Sequence, residues 1–219
     1  ERAARIVRNL LTFARKRHTT RAMVDMNDVI RETLALRSYE QHLSNITIID
    51  ALASGLPQVF ADPHQMQQVL LNLVINAEQA MISTHGRGTL ILRTWHDPER
   101  GAVVLEVNDD GPGVPDDLQP KIFDPFFTTK EVGKGTGLGL TVAYAIIQEH
   151  GGRLTMKSQP GGGASFFIEL PVTDEGLPPS PKPPERMFAP PASAAGATIL
   201  LVEDEVALGT AVAEALVDA

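Results

Sequence analysis

The sequence predicts a mixed α/β (α+β) fold, and three stretches carry the prediction. Residues 62–82 open on Asp62-Pro63 and place Met66, Val69, Leu70, Leu73 and Ala77 at helical spacing, an amphipathic helix with its own start signal. Residues 89–95 and 103–107 are β-branched and apolar. The turn-rich Asp97-Pro-Glu-Arg-Gly101 joins them, the pattern of a paired β ribbon. Residues 138–150 read as a helix stopped by Gly151-Gly152, with two further strands behind it.

The elements follow in order. Residues 1–17 form an amphipathic helix, with Ala3, Val7, Leu10 and Ala14 on a heptad seam and arginines over much of the rest. It packs on a partner helix; whether that belongs to a second copy is open. Met23–Met26 is a short strand. Asn27 caps a helix running to about His42, with Val29, Ile30, Thr33 and Leu34 inward. Ile46–Ile49 and Val59–Ala61 are strands on either side of the Leu56-Pro57 turn. The helix from 62, the strand pair and an aperiodic, glycine-bearing loop from Phe123 to Gly137 come next. After the second helix stop lie strands Arg153–Lys157 and Ser165–Leu170, with Gly161-Gly-Gly163 turning between them.

From Glu175 the composition changes. Seven of the 16 prolines fall between Pro178 and Pro191, which marks 174–197 as an extended linker. Beyond it Thr198–Val202 is an apolar strand with Glu203 and Asp204 at its C-terminal end and a helix behind, the opening of a doubly wound α/β unit. The domain plan is therefore 1–20, 21–173, 174–197 and 198–219. Because the sequence starts at Glu1 and not at Met, it is expected to be part of something longer.

Composition narrows the class. Lys and Arg total 19 against 27 Asp and Glu, a formal charge of −8, which argues against nonspecific nucleic-acid binding. With no cysteine there is no disulfide and no thiolate metal site. No run is apolar and long enough to read as a membrane span or signal peptide.

Three segments carry chemistry. Asn72 and Asn76 lie four apart on one helix and share a face, so the Asn76 amide can offer oxygen to Mg2+, a hard cation that keeps several waters. Asp109 ends a β-branched run expected to be a central strand. It is followed by Gly111 and Gly113, and its carboxylate can accept from the adenine amine. The bland counterpart is an Asx turn, and Asp110 reads as an exposed turn acid. Gly133-Lys-Gly-Thr-Gly-Leu-Gly-Leu140 is neither a P-loop nor a dinucleotide fingerprint. It runs from a loop into a helix, so Gly135, Thr136, Gly137, Leu138 and Gly139 can present N–H groups to a triphosphate, with Lys130 and Lys134 as the nearby cations. Phe123, Phe126 and Phe127, three of eight phenylalanines, anchor the loop. None of the six histidines sits in a phosphoacceptor context; His150, beside Glu149, reads as a cation on a helix C-terminus.

With these residues in place, 1–172 resembles the catalytic, ATP-binding region of a bacterial sensor histidine kinase, preceded by the second helix of its dimerisation domain. Asn72–Ala77 matches the N box, Asp109–Gly113 the G1 box, Phe123–Phe127 the F box and Gly135–Leu140 the G2 box. Lys121–Lys130 is similar to nitrogen-regulatory sensor kinases. Residues 198–219 look like the start of a receiver domain, with Glu203 and Asp204 matching its Mg2+-holding acidic pair.

The resemblance implies a Bergerat-type two-layer sandwich, a mixed sheet with helices on one face. It implies Mg2+ at Asn76, adenine at Asp109, a lid over 128–136, and transfer of the ATP γ-phosphoryl to a histidine. The implied partners are ATP, a dimerisation and phosphoacceptor domain in cis or trans, a receiver domain or response regulator, and a second copy of the chain, in the cytoplasm. The phosphoacceptor histidine belongs to a helix outside this sequence. Gln79 stands where many members carry a basic residue, and Ala164 where many carry Thr or Ser, with Ser165 next to it. The alternative is a non-catalytic ATP-binding or docking module. An ATPase clamp of the same fold would carry Glu where Asn72 stands.

Overall fold

The computed structural model describes residues 20–130 and 135–172. The expected helix over 1–17, Lys134, the linker and the segment with Glu203 and Asp204 lie outside the described residues.

The described chain runs β1 (Ala22–Val24), α1 (Met26–Leu43), β2 (Ile46–Leu52), β3 (Val59–Ala61), α2 (Pro63–His85), β4 (Gly88–Asp97), β5 (Ala102–Asp109), a 3-10 turn (Gln119–Lys121), α3 (Gly139–Glu149), β6 (Arg153–Ser158) and β7 (Ala164–Pro171). The strands form a five-stranded sheet in the order β2-β4-β5-β7-β6, parallel only between β2 and β4. A two-stranded ribbon of β1 and β3 stands beside it. This is the mixed sheet expected from the sequence, and β5 is its middle strand.

Alternation decides which face is covered. In β5, Val103, Leu105 and Val107 are buried, as are Leu90 and Leu92 in β4 and Phe166, Ile168 and Leu170 in β7. They meet Val69, Leu70, Leu73, Ala77 and Met81 of α2 and Ala143 and Ile147 of α3 in one core. Burying this inner face is the main stabilising term. On the other face Arg93 pairs with Glu106 across strands at 2.9 Å.

The register of β5 matters most. Asp109, its last residue, pairs with Leu90 on one side and Ala164 on the other. A carboxylate is thereby held at the end of the central strand, beneath α2.

Helix caps explain where the helices begin. Asp62 accepts from the N–H groups of His64 and Gln65, with Pro63 at the first turn, so α2 starts as expected. For α1 the expected cap is wrong by two residues. Asp25 accepts the Asn27 N–H at 2.8 Å, while buried Asn27 donates to Ala53 O and accepts from Thr94 Oγ1. Asn27 thus ties α1 to the sheet.

His150 is also different from the sequence reading. It is 2% exposed, and it is an acceptor, not a cation on the helix dipole. Nε2 accepts the Asp62 N–H at 3.1 Å, which leaves the proton on Nδ1 to donate to Ile146 O at 2.8 Å. The ring joins the end of α3 to the cap of α2. Burial holds its pKa below the ordinary value, against the Ile146 carbonyl, which raises it.

The sign of the pH effect follows. An unfolded histidine takes a proton as pH falls through about 6.5, and folded His150 resists it, so its contribution is full above that pH and declines below it. Between pH 7.5 and 5.5 the urea midpoint of the parent chain is expected to fall more than that of His150→Gln. Equal declines would show that His150 is not the titrating group.

Candidate functional site

A cleft of ≈ 650 Å3 opens between α2, the end of β5 and the segment leading into α3. Asn72 and Asn76 of α2 face into it. Asp109 and Gly113 line its inner end with Ala164 and Phe166, and Lys130, Gly135, Thr136, Gly137 and Gly139 line the loop side. Of the residues predicted from the sequence, Asn72, Asn76, Asp109, Gly113, Lys130, Gly135, Thr136, Gly137 and Gly139 thus line one cleft. Gly111 and Leu138 lie just behind the wall: Gly111 donates its N–H to Asp109 Oδ1 at 2.9 Å, and buried Leu138 precedes the first turn of α3.

Asp109 is 5% exposed. Burial raises its carboxyl pKa above the usual carboxylate range. The N–H groups of Gly111 and Ala164 pull it down, and the Asp110 charge pushes it up. A buried acceptor at the end of a central strand is suited to an amine donor. Asp110 is exposed, as read, but it has structural work: Oδ1 accepts the Thr89 N–H at 2.9 Å and ties the glycine turn to β4.

The loop side is shaped by an uncommon turn. Phe126 has φ 66° and Gly137 φ 67°. The Phe126 N–H donates to Gly137 O at 3.0 Å, and a Cβ on Gly137 would lie 2.3 Å from the Phe126 carbonyl carbon. Only glycine fits there. Thr141 Oγ1 donates to Phe123 O at 3.1 Å, and the Phe123 and Tyr144 rings sit 5.2 Å apart. Phe123 and Phe127 pack against the core, whereas Phe126 is exposed, so two of the three phenylalanines are anchors.

Lys130 Nζ reaches across to α2, where it donates to Asn76 Oδ1 at 3.4 Å and to Gln79 Oε1. Lys130 is exposed as a whole residue, but desolvation at its charged end lowers its pKa.

The sequence reading missed most of the apolar wall: Ala80, Val114, Ile122, Leu140 and Phe166. Alternation along β7 could have found Phe166, because Ala164 and Phe166 share a face. The same rule turns Ser165 away, and there its hydroxyl accepts from Asn108 Nδ2 at 2.7 Å. Ser165 does not stand in for the Thr or Ser expected at Ala164.

A second depression, ≈ 690 Å3, is lined by Asn45, Thr47, His85, Arg87, Gly88, Thr89 and Asp110. Its side chains are all polar, with no apolar wall to take a ring, so the site is assigned to the first cleft.

The cleft is thus an apolar-walled slot beneath one helix layer that ends in a buried carboxylate. The chain belongs to the histidine kinase-, DNA gyrase B- and HSP90-like ATPase family, whose signature matches residues 61–174. Within the family it is similar to the sensor kinase CckA of Brucella abortus (strain 2308), 39% identical over 223 residues, covering 93% of this chain and 23% of CckA. Among solved structures it is similar to full-length ShkA in complex with AMPPNP, at TM-score 0.68 and 30% identity, over 79% of this chain and 36% of ShkA. The catalytic domain of histidine kinase ThkA matches at TM-score 0.62 and 34% identity, over 70% of this chain and 96% of that domain. The chain spans between about a quarter and just over a third of the length of the curated relatives it matches. Among the described residues no helix is long and apolar enough to cross a membrane.

Proposed function

We propose that the chain is the ATP-binding part of a sensor histidine kinase in a two-component relay, and that it transfers the ATP γ-phosphoryl to a histidine on a dimerisation domain supplied in cis or in trans. The observation that carries the reading is the convergence of Asn76, Asp109, Lys130 and the Gly135–Gly139 backbone on one cleft with an apolar wall.

Each residue then has a role. Asp109 accepts from the adenine amine, and Ala80, Ile122, Leu140 and Phe166 flank the ring. Gly135, Thr136, Gly137 and Gly139, at the mouth of α3, present N–H groups to phosphate, and Lys130 adds charge. A hard oxygen donor suits Mg2+, and the Asn76 amide oxygen would hold it; Lys130 Nζ, 3.4 Å from that oxygen, would then turn from Asn76 to phosphate. Mg2+ supplies charge neutralisation on the triphosphate when bound. A histidine nitrogen uses its lone pair to form the N–P bond, the bond from phosphorus to the bridging oxygen breaks, and ADP leaves with that electron pair. Asn72 is an amide and cannot take a proton from water, which favours transfer over hydrolysis.

The same reading assigns 1–20 to a dimerisation helix, 21–173 to the catalytic domain, 174–197 to a linker and 198–219, with Glu203 and Asp204, to the start of a receiver. Such a relay works in the cytoplasm, with a receiver or response regulator downstream and a second copy of the chain as dimer partner.

The test is to incubate the chain with γ-labelled ATP and a dimerisation domain bearing its histidine. Label is expected on that domain, with at least a tenfold loss in Asn76→Ala, about the weight of one contact to a charged group. Tight ATP binding without any transfer would favour the docking module.

A further inference from the structure

The Lys130 ammonium has no carboxylate partner within ion-pair distance among the described residues. Its two acceptors are the neutral amide oxygens of Asn76 and Gln79, and its charged end is desolvated. It is also the one cation in the wall of the cleft among the described residues. An ammonium held by neutral amides alone has no counter-charge to give up when an anion enters.

Gln79 is the residue that makes this arrangement. It lies on α2 three residues after Asn76, so both amides rise from one face of a rigid helix. The lysine stem comes from the opposite wall, 51 residues along the chain. A carboxylate at position 79 would neutralise the ammonium, and an apolar side chain would leave it only the 3.4 Å contact to Asn76, too weak to hold a lysine with many rotamers.

We propose that Gln79 is a positioning residue that holds the Lys130 ammonium at the phosphate end of the cleft, so that the loop supplies the cation and the helix supplies its holder. The proposal rests on the nucleotide reading above and adds to it a basis for selectivity. The pair acts on the polyphosphate and not on the base, so it sets how strongly ATP is preferred over adenosine.

The experiment is a double-mutant cycle on the full chain, read by calorimetry with Mg-ATP and, separately, with adenosine. Lys130→Met is expected to weaken Mg-ATP binding roughly tenfold, the scale of one charged hydrogen bond. Gln79→Leu is expected to weaken it about fivefold, because the ammonium is kept but no longer placed. In the double variant the two losses are not multiplied: Gln79→Leu adds nothing once Lys130 is gone. Adenosine binding stays at the parent value in all three, which also shows that each variant is folded. Mg-ATP binding unchanged in Gln79→Leu, or losses that multiply, would overturn the proposal, the second by giving Gln79 a contact of its own. A parent chain that binds neither ATP nor adenosine would instead remove the nucleotide reading itself.

Discussion

Asp109→Asn is expected to weaken ATP binding by about 100-fold, the sum of one hydrogen bond to a charged group and one buried donor left facing another donor. The fold is expected to survive with its stability within about 1 kcal/mol, since the change is nearly isosteric and removes a buried charge. The geometry leaves the amide no good orientation. Asp109 Oδ1 already accepts the Gly111 N–H, so an Asn that keeps this bond turns its NH2 toward the cleft, against an amine that also donates. The flipped amide satisfies the amine and sets NH2 against the Gly111 N–H. In a site 5% exposed neither conflict is relieved by water. Calorimetry with ATP and urea unfolding measure the two halves separately. Parent-like affinity in Asp109→Asn would mean that the carboxylate does not read the base.

Much of this site was legible in the sequence, and what was legible depended on short-range regularities. The inner face of α2 follows from 3.6-residue spacing, and Met66, Val69, Leu70, Leu73 and Ala77 are all buried. Asp109 at the end of a central strand follows from the β-branched run before it and the glycines after it.

The features that escaped depend on contacts across long stretches of chain. His150 looked like a surface cation because Glu149 adjoins it, yet its partner is the Asp62 N–H, 88 residues away. Glu78, which nothing in the sequence singles out, is 3% exposed. It takes Arg37 at 2.6 Å and Gln41 at 2.8 Å, a charged bridge between α1 and α2 that no period announces. Gln79 stands out in the sequence only for replacing a basic residue, and its part as an acceptor shows once Lys130 arrives from the far wall. Local propensity places the elements; only the packed structure shows which polar side chains have been shut in with one another.

The largest stability effect is expected at a position the sequence marked only as a turn. Gly161 and Gly163 lie in the β6–β7 turn with φ +77° and +80°, so any L-residue at either is strained. They differ in what lies beside them. Gly161 has nothing within 4 Å of an added Cβ, whereas at Gly163 that atom would lie 1.9 Å from Asp109 O and 2.9 Å from its carbonyl carbon. The obstacle is backbone at the end of the central strand and cannot rotate away. Ser158 Oγ holds the turn closed by donating to Gly163 O at 2.6 Å and accepting the Val114 N–H at 2.8 Å. Gly161→Ala is therefore expected to cost about 1 kcal/mol, the conformational term alone. Gly163→Ala is expected to cost about 3 kcal/mol or more, because β5 and β7 must part where Asp109 pairs with Ala164. The same displacement moves the Asp109 carboxylate, so folded Gly163→Ala is expected to bind ATP about tenfold more weakly, while Gly161→Ala binds as the parent does. Urea midpoints and ATP calorimetry on the two variants, side by side, decide the matter. If the two alanines cost the same, the close approach of Gly163 to Asp109 does not hold this end of the cleft together.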